Sequence, residues 1–200
     1  MEITKFDLKA HDIGRVADLI VNARTDDDET DPWKSRAMVT DLIRAGNNFL
    51  GHENILISRS GHEITGLAIG YRGTGKNELA TLLRLLVSLR MGEFLSYLTL
   101  MARLLQGGFT PGIEDDEFYI SALAVDERYR GKGIGSLLLN RIIETARSKN
   151  CRNVVLEVDG DNEPAIGLYR KFGFAFSDRH ETRDIRTEPH SLLIMDLTLT

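Results

Sequence analysis

Gly131, Gly133 and Gly135 alternate with Lys132 and Ile134, and Arg130 stands just before them. An apolar run, Phe118 to Val125, leads in, and an amphipathic run, Ile134 to Lys149, leads out. The glycines therefore sit where a strand becomes a helix, between and beside two cations. Glycine lets the backbone approach an anion closely and adopt positive φ. The first N–H groups of a helix lack internal partners and carry the positive end of its dipole. Such a turn can hold a pyrophosphate. A P-loop requires G-x-x-x-x-G-K-[ST], whereas here the lysine lies between glycines. A dinucleotide fold places G-x-G-x-x-G near the start of a βαβ unit, whereas this G-x-G-x-G lies in the second half of the chain. A tight strand-to-helix turn with no ligand is the remaining reading of the turn alone.

Two longer segments narrow these readings. Leu123-Ala124-Val125-Asp126-Glu127-Arg128-Tyr129-Arg130-Gly131-Lys132-Gly133 leads into the turn, and Asn162-Glu163-Pro164-Ala165-Ile166-Gly167-Leu168-Tyr169-Arg170-Lys171-Phe172-Gly173-Phe174 follows it. Together they resemble the GNAT superfamily of N-acetyltransferases. Arg130, Gly133 and Gly135 match that family's Arg-x-x-Gly-x-Gly turn, and the second segment matches N-x-x-A-x-x-L-Y-x-K-x-G-F at every fixed position. The resemblance covers residues 118–176, while the N-terminal part agrees in element order only. It implies acetyl transfer from acetyl-coenzyme A (acetyl-CoA) to a primary amine by direct attack on the thioester, with no metal.

The resemblance also assigns roles. Leu123, Ala124 and Val125 would offer backbone groups to the pantetheine arm, with the Val125 N–H at the oxyanion. Arg130, Gly131, Lys132, Gly133, Ile134, Gly135 and Ser136 would hold the pyrophosphate. Asn162 would bond the arm, and Lys171 would reach the outer phosphate. Tyr169 would protonate the departing thiolate, and Glu117 would be the base, with Glu157 the alternative to it. The chemistry requires such groups. An alkylammonium with a pKa of about 10 must lose a proton before it attacks. A phenol with a pKa near 10 stays protonated at pH 7 and can donate. Plainer readings stand beside these: Tyr169 as a packed aromatic near Phe172 and Phe174, Glu117 as a solvated member of the Glu114–Glu117 run, and Lys171 as a solvated helix end.

The 200 residues suit one domain, 1–200, with a sizeable core. A hydrophobic content of 42% and a charged content of 28% are ordinary for a soluble globular chain. A net charge of −5 argues against a nucleic-acid-coating surface. Cys151 is the single cysteine, which excludes an internal disulfide and suits a reducing cytosol. The start, Met1-Glu2-Ile3-Thr4-Lys5, lacks a signal-peptide pattern, so the expected compartment is the cytoplasm. The five histidines have no metal-ligand spacing.

The elements that must position these residues follow from periodicity. Strands are expected over 2–8, 54–60, 63–71, 117–125, 153–158, 173–182 and 190–198, and helices over 13–23, 33–45, 134–149 and 163–171. Asp12 should cap the first helix and Pro32 should sit at the start of the second. Ile134, Leu137, Leu138, Ile142 and Ala146 should share the buried face of the third. The strands on either side of that helix should be parallel, through a right-handed crossover. The expectation is an α/β fold (α+β in strict usage): a mixed, mainly antiparallel central sheet of about seven strands flanked by helices, with a helical insert, 72–116, between the third and fourth strands.

The acceptor side is less specified. Asp26-Asp27-Asp28-Glu29 with Asp31 reads as a solvated loop or as a trap for a cationic small molecule or peptide, with Trp33 able to stack on it. The segments 77–91 and 93–106 carry leucine on nearly every face. Charges interrupt them too often for a membrane span of about 20 apolar residues. A homodimer interface comes first among their readings, then a lid over the acceptor site, then a surface for an apolar substrate or membrane. Two other functions also fit the sequence: an acyl-CoA-binding sensor without turnover, and a transferase of a longer acyl group.

Overall fold

The computed structural model describes residues 1–23, 35–73, 113–177 and 192–199. The acidic loop, Pro32, Trp33 and the segments 77–106 lie outside the described residues, as do the roles assigned to them. Along the chain run β1 (Glu2–Lys5), α1 (Ile13–Asn22), α2 (Arg36–Ala45), β2 (Ile55–Ser60), β3 (Glu63–Arg72), β4 (Glu117–Val125), α3 (Ile134–Ser148), β5 (Asn153–Asp159), α4 (Glu163–Lys171), β6 (Ala175–Phe176) and β7 (Leu192–Thr198). The strands form one seven-stranded sheet in the order β1-β2-β3-β4-β5-β7-β6. Among the described residues, only β4 and β5 are parallel, with α3 as their crossover, and every other pair is antiparallel.

Local chemistry sets the element ends. Asp12 caps α1, its carboxylate accepting from the N–H groups of Gly14 at 2.8 Å and Arg15 at 3.3 Å. The second helix begins at Arg36 rather than Trp33, because Ser35 Oγ caps it by accepting from Met38 N–H at 3.2 Å. Gly61 takes φ 62° in the two-residue turn joining β2 to β3, where Ser60 pairs with Glu63. Of the sixth strand, expected over 173–182, Ala175–Phe176 pair with β7, and residues 178–182 lie outside the described residues.

Alternation along the strands sends two apolar sets to opposite faces. Ile55, Ile57, Leu67 and Ile69 pack against α1 and α2, through Val16, Ala17, Met38, Val39, Leu42 and Ile43 among others. Leu56, Ala68, Phe118, Ile120 and Val154 pack against α3 and α4. On α3 the buried side chains are Ile134, Leu138, Leu139, Ile142, Ile143 and Ala146. Leu137, expected on this face, is 49% exposed. At about 100° per residue, Leu139 and Ile143 extend the stripe on the side away from Leu137. Among the described residues, no helix is long and apolar enough to cross a membrane.

The feature that shapes the site is a parting of strands. β4 pairs with β5 only from Glu117↔Asn153 to Ile120↔Leu156. Beyond that point β4 stays with β3 up to Val125, while β5 stays with β7. The register of β3 with β4 shifts there, Gly70 opposing Ile120 and Ile69 opposing Ala122, so Ser121 is one residue extra. Such a bulge bends its strand and ends regular pairing. The sheet thereby forks at its centre.

The buried face of α3 is testable by truncation. Leu138→Ala, at a fully buried position, should cost about 2–5 kcal/mol in urea unfolding. Leu137→Ala should stay within about 0.5 kcal/mol.

Candidate active site at the fork

The edge of β4 inside the fork carries backbone groups with no strand to meet them. Asp126 N–H donates to Thr65 O at 3.0 Å, so it points at β3. Alternate residues of an antiparallel strand direct their N–H and C=O to the same side. Ala124 and Ala122 therefore face β3, and Leu123 and Val125 turn both groups into the fork. Of the three expected contributors of backbone, Leu123 and the Val125 N–H offer an open edge, the Val125 carbonyl accepting from Arg130 Nε, whereas Ala124 spends its groups on β3 and buries its methyl against α1 and α2.

The strand leads into a short 3-10 turn, Glu127–Tyr129, and then into the glycines. Gly131 and Gly133 take φ 74° and 78°, where a β-carbon would strain the backbone. Gly135 serves packing instead: a β-carbon there would lie 3.3 Å from Leu168 of α4. α3 starts after Gly133 with no side-chain cap. Ile134 is buried and offers only its backbone, while Ser136 lies in the same uncapped first turn. Arg130 Nε donates to Val125 O at 3.2 Å, and Lys132 Nζ donates to Arg128 O at 3.1 Å. Positive φ, uncapped N–H groups and two cations together suit a diphosphate.

α4 stands on the α3 side of the sheet. Asn162 is its N-cap, Oδ1 accepting from Ala165 N–H at 3.2 Å, which leaves the amide NH₂ for the fork. Tyr169 is buried, its ring 5.8 Å from that of Phe174. Its hydroxyl makes no hydrogen bond among the described residues. Burial pushes the phenol pKa up to about 12. The group is thus a neutral donor across the working pH range. Lys171 lies exposed at the end of α4.

The two carboxylates fall at different depths. Glu117 lies at the closed end of the β4–β5 pair with no exposed surface, accepting from Glu114 N–H at 3.0 Å and Asn153 Nδ2 at 3.4 Å. Glu157 lies one residue past the last β4–β5 pair, where the fork opens. Tyr119 Oη donates to its carboxylate at 3.1 Å. Tyr119 packs with Tyr71 and Val155. By alternation along β3 and β4, these side chains share the α1/α2 face. Sequence reading missed Tyr119. The register that sets Tyr119 opposite Val155, two residues from Glu157, exists only once β4 and β5 pair in parallel. Among the described residues, no three His, Cys, Asp or Glu side chains gather as a metal site would require.

The chain has relatives among known proteins. A family model described as the acetyltransferase (GNAT) family matches residues 85–174. Over 64 residues the chain is 38% identical to a mycothiol acetyltransferase of Corynebacterium aurimucosum, covering 32% of this chain and 20% of that protein. Over 75 residues it is 33% identical to a spermine/spermidine N(1)-acetyltransferase of Bacillus subtilis, covering 35% of this chain and 49% of that one. The matched stretch thus spans less than half the length of either relative. The crystal structure of an N-acetyltransferase from Staphylococcus aureus Mu50 superposes with a TM-score of 0.72 at 21% identity, covering 98% of this chain and all of that one. At that identity the likeness is one of fold.

The raised phenol pKa has a consequence at alkaline pH. A Tyr169 that ionises near 10 when unfolded and near 12 when folded leaves stability intact below pH 10 and erodes it as pH rises toward 12. By pH 11 the loss should reach about 1 kcal/mol. Urea unfolding at pH 8 and pH 11 should show that increment in the wild type and not in Tyr169→Phe.

Proposed function

We propose that this chain, which belongs to the GNAT acetyltransferase family, transfers an acetyl group from acetyl-CoA to a primary amine on a small molecule or peptide. The observation that carries this is the open edge of Leu123 and Val125 running directly into an uncapped, glycine-started helix. An extended arm with amides can add to that edge as a strand would, and a pyrophosphate at its end then meets the Arg130–Ser136 turn. The spacing of the open edge and the turn suits a ligand that is amide-bearing at one end and diphosphate at the other. Asn162 would bond the arm and Lys171 would reach the outer phosphate.

The residues divide the proton work by face. On the α1/α2 face, Glu157 accepts the proton of the incoming ammonium, directly or through water, while Tyr119 holds its carboxylate in place. Glu117 is the second candidate on the same strands. Its carboxylate is fully enclosed, which favours the half-buried Glu157 at the open end. The amine then attacks the thioester carbonyl between the strands. A fork-facing N–H of β4, that of Val125 or Leu123, stabilises the oxyanion without reorganising. From the α3/α4 face the neutral Tyr169 donates its proton to the departing thiolate.

Thiol release from acetyl-CoA, followed across a panel of primary amines, tests this. The wild type should turn over with at least one amine. Tyr169→Phe should lower kcat on the order of 100-fold or more. Glu157→Gln should lower kcat/KM comparably at pH 7 and regain part of it at pH 9, where more of the amine is already free. A loss confined to Glu117→Gln would return the base to Glu117. Tight coenzyme A binding with no turnover on any amine would leave a sensor.

A further inference from the structure

Asp126 stands between the end of β4 and the Arg130–Gly135 turn, where a negative charge opposes pyrophosphate. Its side chain is only 9% exposed, and the carboxylate is fully engaged. One oxygen accepts from Arg128 N–H at 2.9 Å and Arg128 Nε at 3.2 Å. The other accepts from Arg128 Nη2 at 3.0 Å and from Arg15 Nη2. The Arg128 guanidinium first, then its N–H and Arg15, hold this carboxyl well below the ordinary carboxylate range, against the opposing effect of burial. The group is therefore always charged, and the charge must be answered.

Arg128 answers only part of it. Its Nη2 also pairs with Glu63, whose carboxylate takes the Tyr129 hydroxyl at 2.7 Å as well. Glu63 balances Arg128, and Arg15 is left to balance Asp126. Arg15 comes from the first turn of α1, 111 positions away, and its Nε also donates to Ile64 O at 3.3 Å. One side chain thus ties α1, the start of β3 and the corner after β4 together. With Asp126 cancelled, the charges left facing a ligand are those of Lys132 and of Arg130, whose guanidinium lies 3.6 Å from the exposed Glu127 carboxylate.

We propose that Arg15 is a positioning residue for the pyrophosphate of the coenzyme: it neutralises Asp126 and fixes the strand-to-turn corner without touching the ligand itself. The proposal rests on the acetyl-CoA reading. Because α1 borders the acceptor side, the same pair ties the acceptor-side helix to the cofactor turn. Removing the cation leaves Arg128 alone to answer both Asp126 and Glu63 beside the phosphate cradle, which should cost affinity only for thioesters that carry phosphate.

The test compares acetyl-CoA with S-acetyl-pantetheine, which has the arm and no phosphate. Arg15→Met should raise KM for acetyl-CoA on the order of tenfold with kcat little changed, and leave kcat/KM for S-acetyl-pantetheine unaltered. Adding Asp126→Asn to Arg15→Met should restore most of the acetyl-CoA affinity, an outcome that a merely structural role would not give. Arg15→Lys keeps the charge and should stay within about threefold. Arg44→Met removes an exposed α2 cation with the same loss of charge and should change neither substrate. Equal losses for both thioesters, a double variant worse than the single one, or a tenfold loss in Arg15→Lys would each overturn the proposal. Wild-type protein that neither binds nor uses acetyl-CoA would overturn the acetyltransferase reading itself.

Discussion

A hydrogen-bonding edge in the middle of the sheet is the constraint from which the rest follows. A strand buried at the centre of seven must pair both edges or leave polar groups without partners, at a cost of about 1–3 kcal/mol for each one buried. β4 pairs one edge throughout and loses the other after Ile120. The extra residue at Ser121 is what forces the separation, and Ser121 Oγ is itself buried without a partner among the described residues. A fold that keeps such an unpaired edge at its centre is built to have it completed from outside. An amide-bearing chain is the chemistry that completes it.

The corner after β4 carries the second constraint, which is electrostatic. Phosphate needs N–H groups and cations, yet the residues leading into the turn include Asp126 and Glu127. Glu127 is exposed, so its pairing with Arg130 at 3.6 Å is screened by solvent. Asp126 does not, and it is enclosed by two arginines from different parts of the chain. The carboxylate is kept for its local work as N-cap of the 3-10 turn, accepting from Arg128 N–H. The fold thus uses an acid to shape the corner and a distant base to cancel it.

The local parts of this arrangement were legible in the sequence. Sequence patterns located each described strand and α-helix, the helices by one apolar face against the sheet and the central strands by runs that are apolar on both faces. The glycine turn was legible because positive φ leaves a residue signature. Long-range pairings left none. Leu137 read as core because 3.6-residue spacing admits it at the rim, and only the sheet's position decides which rim is covered. Tyr119 and Glu157 meet through a parallel register set by where α3 returns the chain, and Arg15 meets Asp126 across 111 positions. The opening of β4 from β5 depends on a single residue of slippage against β3, which no composition or period reveals.

The fork also explains why one sheet can serve acid and base together. A strand directs alternate side chains to opposite faces and its backbone along the plane between them. A thioester lying in that plane therefore presents its carbonyl to backbone N–H groups and its two sides to different side chains. Tyr119 and Glu157 stand on the α1/α2 face where the fork opens, bonded to each other. Tyr169 stands on the α3/α4 face among Phe174, Ile166 and their neighbours, where burial keeps it neutral. Moving either group to the other face would reverse its environment: a phenol beside a carboxylate would be held by it, and a carboxylate packed against Phe174 would lose its charge. In the proposed reaction the sheet itself would keep proton acceptance from the amine apart from proton donation to the thiolate, and the parting of β4 from β5 is where both would reach one substrate.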